Sequence, residues 1–308
     1  MPKKTDTNPE AIRNTLQKLI INFEEELKST ELREKVLALI PVFKILRKLG
    51  KSLIPQELTS SARDRILFYF QKYPYTIIHG DEFLVVSGIQ EYARRIRELR
   101  VQFGWSIASG KTVKEMSDQE DFPLRIDLLK VKPDSYVLLS EQQDKEAAFR
   151  WAVANEIRKK KEGVRSKLLE YFKKNVNQSV SGEELRYVAN DKTEWARRVR
   201  ELRTEFGWPI TTRNTGRPDL AVGAYVLESL RQSPEHDRKI PDPVRSAVMR
   251  RDNYRCTKCG WSQAEWNPSD PRHLELHHIR QHIKGGQNTK DNLLTLCTIC
   301  HDDVHRKA

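Results

Sequence analysis

The sequence predicts an α+β chain of several domains: a helical arm at the N-terminus, two copies of one helix-rich domain, and a small metal-stabilised domain at the C-terminus. Three observations carry that reading. The chain has 308 residues, room for two or three domains of about 100–200 residues each. A long stretch of it occurs twice. All four cysteines fall in the last quarter, as two C-x-x-C pairs, which in a reducing compartment points to metal rather than disulfides.

Charged residues make up 32% of the chain and the formal net charge is +12. Such a surface attracts polyanions, nucleic acid before anionic membrane. No stretch approaches the ~18 uninterrupted apolar residues of a membrane span, and Met1-Pro2-Lys3-Lys4 lacks the apolar core of a signal peptide. The expectation is a soluble, intracellular protein with no membrane partner.

Residues 1–57 make the arm. Between Glu10 and Lys28, Ile12, Leu16, Leu19, Phe23 and Leu27 recur at helical spacing, with Asn8 and Pro9 as cap and first turn. A second apolar run, Leu32 to Leu49, contains Pro41, which is expected to end or kink a helix there. Such an arm packs on the body of the protein or on a second subunit.

The repeat fixes the middle of the chain. Residues 91–107, EYARRIRELRVQFGWSI, return at 194–210 as EWARRVRELRTEFGWPI. Upstream, ILFYF at 66–70 matches LLEYF at 168–172, and GDEF at 80–83 matches GEEL at 182–185. The unit is therefore a whole domain, at 58–139 and again at 164–231. Each copy reads as three helices followed by strand-like stretches such as Ile210–Thr212 and Ala224–Leu227 around a Gly/Pro loop, the order of a winged helix-turn-helix.

In the third helix of the second copy, Trp195, Val199, Leu202 and Phe206 share one face. Arg197 and Arg200 point away from it, with Arg198 and Arg203 on the flanks. The first copy places Arg94, Arg97, Arg95 and Arg100 alike. An arginine-rich face on the helix that enters a major groove suits phosphate and guanine contacts, so Arg94, Arg97, Arg100, Arg197, Arg200 and Arg203 are the candidate DNA-binding residues. The alternative is a solvated face paired locally with Glu98 and Glu201. Gly104-Trp105 and Gly207-Trp208 read as a helix-ending glycine and a packing tryptophan.

Residues 140–163 hold a charged helical stretch, Glu146 to Lys161, read as a solvated connector. Gln232 to Arg238 is polar and aperiodic, a linker into the last domain at 238–308.

In that domain Cys256, Cys259, Cys297 and Cys300 have the spacing at which two tight turns offer thiolate pairs to a structural zinc. The stretch between the pairs contains LELHHI at 274–279, Gly285-Gly286 and Asp291-Asn292. His301 and His305 follow the last cysteine. His79, His236, His273 and His282 have no partner at ligand spacing and read as ordinary histidines.

The series of adjacent histidines, glycine loop, asparagine and helical histidine pair resembles the HNH nucleases, the group that includes the nuclease colicins and many restriction enzymes. The resemblance spans only the last domain. It implies a ββα-metal fold: a strand ending at the histidine pair, a long loop, a second strand through Leu293 to Leu296, and a helix starting near His301. It implies that His277, His301 and His305 hold one divalent ion, magnesium or manganese, with nickel also accepted by an imidazole-rich set. It makes His278 the general base and Asn292 the residue that holds the loop and orients that base. Glu275 supports an arginine such as Arg250 or Arg251, or is an ordinary strand residue.

The function so implied is hydrolysis of double-stranded DNA to 5′-phosphate and 3′-hydroxyl ends by a one-metal mechanism. The repeats would choose the site, as in a restriction enzyme, modification-dependent or not, in a prokaryote-like cytoplasm. One such site cuts one strand, which makes the arm a candidate homodimer contact. The alternatives are a DNA-binding regulator with a structural zinc domain and a weakly specific nuclease.

Overall fold

A computed structural model describes residues 8–117, 127–233, 239–281 and 285–307. His236, His282, Met1 to Lys4 and most of the segment Gln232 to Arg238 lie outside the described residues. The chain divides into two units, residues 1–107 with 132–145, and residues 108–131 with 146–308.

In the first unit the arm is a pair of helices, α1 (Pro9–Glu26) and α2 (Leu32–Ser52). Asn8 accepts the Glu10 N–H at 2.9 Å, and Pro9 sits at a helix start, where a missing N–H breaks no helical bond. α2 runs on through Pro41 instead of ending there. Proline removes one backbone bond, but the turns on either side of it pack along α1 and keep their own.

Helices α3 (Ala62–Lys72), α4 (Gly80–Ser87) and α5 (Tyr92–Val101) follow. The chain leaves the unit along β1 (Ile107–Ser109) and forms β2 (Tyr136–Leu138) after its return. α3, α4 and α5 enclose Ile66, Phe70, Phe83, Ile96 and Leu99. Ile78 bridges Tyr136 in the antiparallel sense, and Leu139 donates to the Ser106 carbonyl at 2.7 Å, so the β2 segment has chain on both sides.

The second unit contains α6 (Gly110–Ser117), α7 (Ala147–Arg158), α8 (Val164–Lys174), β3 (Val180–Ser181), α9 (Gly182–Val188), α10 (Trp195–Thr204), β4 (Ile210–Thr212) and β5 (Ala224–Leu227). β5 lies between β3 and β4, antiparallel to both, with Tyr225 opposite Val180 and Leu227 opposite Ile210. From α8 onward the order is helix, strand, helix, helix, strand, strand. The first copy follows the same order, with Ile78 in the place of β3 and with α6 standing between β1 and β2. Gly104 and Gly207 both have φ +67°, a left-handed turn that glycine adopts without strain. It brings Trp105 N–H to the Leu99 carbonyl and Trp208 N–H to the Leu202 carbonyl, both at 3.0 Å.

α7 is not a solvated connector. Trp151, Ala154 and Ile157 are buried, and Arg150 pairs with the buried Glu184 at 2.9 Å. Charged residues crowd its ends, Glu146 before it and Lys159 to Lys161 after it, yet the helix itself carries an apolar stripe that packs on α8 and α9.

The same unit ends in α11 (Asp242–Arg251), β6 (Leu274–His278), β7 (Leu293–Cys297) and α12 (Thr298–Lys307). β6 and β7 form an antiparallel pair that sets His277 opposite Leu294 and His278 opposite Leu293. Val248, Met249, Trp261, Leu276, Leu293 and Leu296 form the core beneath them. The two strands stand where the sequence expects them, and the helix begins at Thr298, three positions before His301. Among the described residues no helix is long and apolar enough to cross a membrane.

Candidate nuclease and metal centre

The cysteines come together from two turns. The first is a knuckle: Cys256 N–H donates to the Trp261 carbonyl and Gly260 N–H to the Cys256 carbonyl, both at 2.8 Å, with Gly260 at φ +77°. The second forms where β7 passes into α12, so that Cys297 ends the strand and Cys300 lies in the first helical turn. The four sulfur atoms lie within 4.8 Å of one another, and Cys259 Sγ stands 3.8 Å from Cys297 Sγ. A tetrahedral ion with bonds of about 2.3 Å sets its thiolates ~3.8 Å apart, so the cluster fits zinc. Burial raises the Cys297 and Cys300 thiols. At Cys256 the same effect is outweighed by backbone hydrogen bonds with Cys297, Cys259 and Lys258, and its pKa falls to about 7. Four apposed thiols, three of them buried, need a cation before all can ionise.

A second group consists of His277 on β6 with His301 and His305 on α12. The helical pair is four residues apart and shares a face. His301 Nε2 and His305 Nε2 are 3.1 Å apart, and the His277 ring centre is 5.1 Å from each of the others. Two imidazoles on one tetrahedral ion hold their nitrogens about 3.3 Å apart, so these three can share a divalent cation.

Glu275 organises this cluster, a role the sequence reading assigned differently. On β6 it shares a face with His273 and His277. Its Oε2 takes His301 Nδ1 at 2.7 Å and its Oε1 takes His273 Nε2 at 3.2 Å. Arg250 and Arg251 turn elsewhere, to the Ser246 carbonyl and to Asp252 with the Lys290 and Leu293 carbonyls. Burial raises the Glu275 carboxyl, but the two imidazoles outweigh it and hold it well below the usual carboxylate range. With its Nδ1 proton held by Glu275, His301 presents Nε2 to the cluster. Strand alternation could have found this contact, because residues 273, 275 and 277 must lie on one side.

His278, next along the strand, is 1% exposed. Its Nε2 meets Asn288 Oδ1 at 2.7 Å, and Asn288 Nδ2 donates to the Lys239 carbonyl at 3.1 Å. The ring contact thus comes from Asn288, which no spacing rule marks. Asn292 ties the loop: its Nδ2 donates to the Arg280 and Gln287 carbonyls at 3.0 and 2.9 Å, and its Oδ1 accepts the Arg280 N–H at 2.9 Å. Gly286 lets that loop close, since a Cβ there would collide with the Arg280 carbonyl oxygen.

The candidate DNA-binding arginines divide. Arg94 and Arg197 are exposed and within 3.5 and 3.2 Å of Glu98 and Glu201. Arg97 is exposed, with no ion-pair partner among the described residues. Arg100 is half-buried. Arg200 lies 3.8 Å from Asp242. Arg203 is withdrawn from solvent altogether: it is 3% exposed, its Nε donates to Asp242 Oδ1 at 2.9 Å, and its Nη2 contacts Asp242 Oδ2.

Comparison with known proteins agrees with this geometry. The family described as HNH endonuclease matches residues 256–307. Those residues form an HNH endonuclease domain. A second family, described as the KpnI N-terminal domain, matches residues 63–139 and 165–228, one stretch in each copy of the repeat. The type IV methyl-directed restriction enzyme EcoKMcrA of Escherichia coli (strain K12) is 27% identical over 123 residues. The match covers 36% of this chain and 43% of that enzyme. No solved structure matches. The HNH domain accounts for both clusters, since the family implies a divalent ion and the thiolates suit a structural zinc.

Proposed function

We propose that the chain is a restriction-type endonuclease in which the repeats choose a DNA site and the HNH domain hydrolyses a phosphodiester bond, leaving 5′-phosphate and 3′-hydroxyl ends. The observation that carries this reading is the convergence of His277, His301 and His305, with His278 following His277 on β6 and its ring held by Asn288. A magnesium, manganese or nickel ion held by those three imidazoles would stabilise charge on the phosphoryl and leaving oxygens. His278 is the general base. Asn288, whose amide is fixed by the Lys239 carbonyl, decides which ring nitrogen carries the proton. Glu275 keeps His301 in its ligating tautomer, and Asn292 holds the loop that carries Asn288.

The repeats are read as winged helix-turn-helix modules, supported by their helix and strand order and by the arginines of α5 and α10. The methyl-directed relative makes methylation of the DNA a candidate substrate feature. The test is cleavage of supercoiled and of matched modified and unmodified DNA in each metal, beside His278→Ala. Loss of general-base catalysis costs roughly 10²- to 10⁴-fold, while DNA binding and thiolate-bound zinc persist. A variant that cuts at the wild-type rate removes the assigned base. Tight binding without nicking in any metal makes the chain a regulator instead.

A further inference from the structure

One end of the second copy carries positive charge that the first copy lacks. An open groove of about 610 Å³ lies where the start of α8 meets the turn before α10, with Gly163, Arg165, Ser166, Lys192, Glu194 and Arg198 on its walls. Glu194 binds Arg198 at 2.9 Å, and Arg198 also binds Glu201 at 2.8 Å, so these three balance one another. Arg165 lies over the Phe206 ring. Arg165 and Lys192 are both exposed, with no ion-pair partner among the described residues. The same holds for Lys159 and Lys161, which lead into Gly163, whereas Lys160 is held by Glu170 at 2.7 Å.

The first copy shows that the fold does not need this charge. In the register of the repeat, Gly163, Arg165 and Ser166 correspond to Ser61, Arg63 and Asp64, and Lys192 to Ile89. Asp64 accepts from Ser60 Oγ at 2.7 Å and from the Ser61 N–H at 3.0 Å, and lies 3.9 Å from Arg63, so an acid closes the start of α3. Ser166 leaves that acid out. Residues 159–161, Lys-Lys-Lys, stand where residues 57–59 are Glu-Leu-Thr, and only Glu162, in the place of Ser60, changes in the other direction. Packing does not ask for these exchanges: Ser166 and Lys192 are exposed, and a Cβ on Gly163 would meet nothing within 4 Å. An acid in its first turn stabilises a helix, so α8 forgoes stability that α3 keeps, and what it gains is an electropositive groove.

We propose that this groove seats the phosphate backbone of duplex DNA, with Arg165 and Lys192 as its contacts and Lys159 and Lys161 at its mouth. Cations on concave walls of low dielectric concentrate their field, and backbone contacts fix where a protein sits on DNA without reading its sequence. A membrane surface fits less well, since binding to it needs apolar area and Val164 is the one large apolar side chain on these walls. The contact is separate from the third-helix arginines. It rests on reading DNA as the substrate and not on the cutting chemistry.

Fluorescence anisotropy of a labelled mixed-sequence duplex with the full chain, across salt and without added magnesium or manganese, tests it. Lys192→Gln is expected to reduce the slope of log K against log salt by about 0.9, the share of one phosphate. Ser166→Asp, which restores the acid of the first copy, is expected to weaken binding about fivefold at low salt, as one like charge roughly 4 Å from a phosphate does in water, while the melting temperature holds or rises. A merely structural role would move binding and melting together. Lys44→Gln, which removes an exposed charge on α2, should leave the slope as it is. Binding indifferent to Lys192→Gln and Ser166→Asp overturns the proposal, as does a slope lost equally with Lys44→Gln. Loss of flotation with anionic vesicles in Lys192→Gln, with DNA binding intact, would give the groove to a membrane and overturn it too. A chain that nicks DNA yet ignores these variants keeps the nuclease reading without the groove. One that never nicks but loses slope at Lys192 keeps the groove without the nuclease.

Discussion

In the first copy of the repeat Arg95 binds Glu98 at 2.8 Å and Arg63 lies 4.4 Å over the Phe103 ring; in the second, Arg198 binds Glu201 at 2.8 Å and Arg165 lies 4.4 Å over Phe206. The third helices also end alike, at glycines of equal φ. They part at their last turn. Arg203 of α10 is buried against Asp242, the first residue of α11, and Arg200 lies near the same carboxylate. Arg97 and Arg100, the matching residues of α5, are exposed and half-buried. The difference shows how a duplicated helix acquires a second task. The second copy uses its C-terminal turn to hold the HNH domain, and the first keeps Arg97 in solvent, where a polyanion can reach it.

The largest effect is expected at Arg203. Its side chain is 2% exposed and that of Asp242 12%; breaking such a buried pair costs about 3–5 kcal/mol, and Arg245 and Arg200, which also face Asp242, hold the loss toward the lower end. Arg203→Ala should lower the melting temperature steeply, whereas Arg100→Ala, at a half-buried position, should lower it far less. Arg203→Met/Asp242→Leu should recover little of the loss, because it takes the Asp242 carboxylate away from Arg245 as well. Equal melting shifts for Arg203→Ala and Arg100→Ala would mean that the last turn does the same work in both copies.

A smaller effect follows from the pH dependence of the same pair. Burial raises the Asp242 carboxyl, and Arg203 together with Arg245 and Arg200 lowers it further than burial lifts it, so it lies below its ordinary value. A carboxyl depressed on folding stabilises the fold above its unfolded pKa, about 3.9, and that contribution is lost as pH falls through the lower folded value. The melting temperatures of wild type and Asp242→Asn should therefore converge on acidification from neutral pH to below that range. A gap that stays constant would separate the joint from this ion pair.

How much of this was legible follows from where each partner lies in the chain. The repeat, the C-x-x-C pairs and the spacing of His301 and His305 are local patterns, and local periodicity is what a sequence displays. Glu275 was half-legible: strand alternation sets it beside His273 and His277, but its bond to His301 depends on α12 crossing the strand. Asn288 and Asp242 were not legible. Each acts through a contact made by the fold, with Lys239 far upstream in one case and α10 in the other. Arg100 and Arg203 occupy equivalent positions in nearly identical sequence, so no reading of either helix alone could separate them. α7 misleads for a related reason, since the lysine run that follows it, Lys159 to Lys161, masks the apolar stripe of the helix itself.

The finest test of the comparison lies in DNA binding and rests on the proposed reading of the repeats. If Arg97 meets a phosphate, Arg97→Ala weakens binding of every sequence alike and reduces the slope of log K against log salt by about 0.9, the share of one phosphate contact. Arg200→Ala should leave the slope nearly unchanged, because Asp242 already balances much of that charge in the free protein. Arg97 is exposed, so Arg97→Ala should stay within roughly 0.5 kcal/mol of wild type in stability. Equal slopes lost at the two positions would place both third helices on the backbone. A slope lost only at Arg200 would reverse the assignment and make the copy that carries the HNH domain the one that touches DNA.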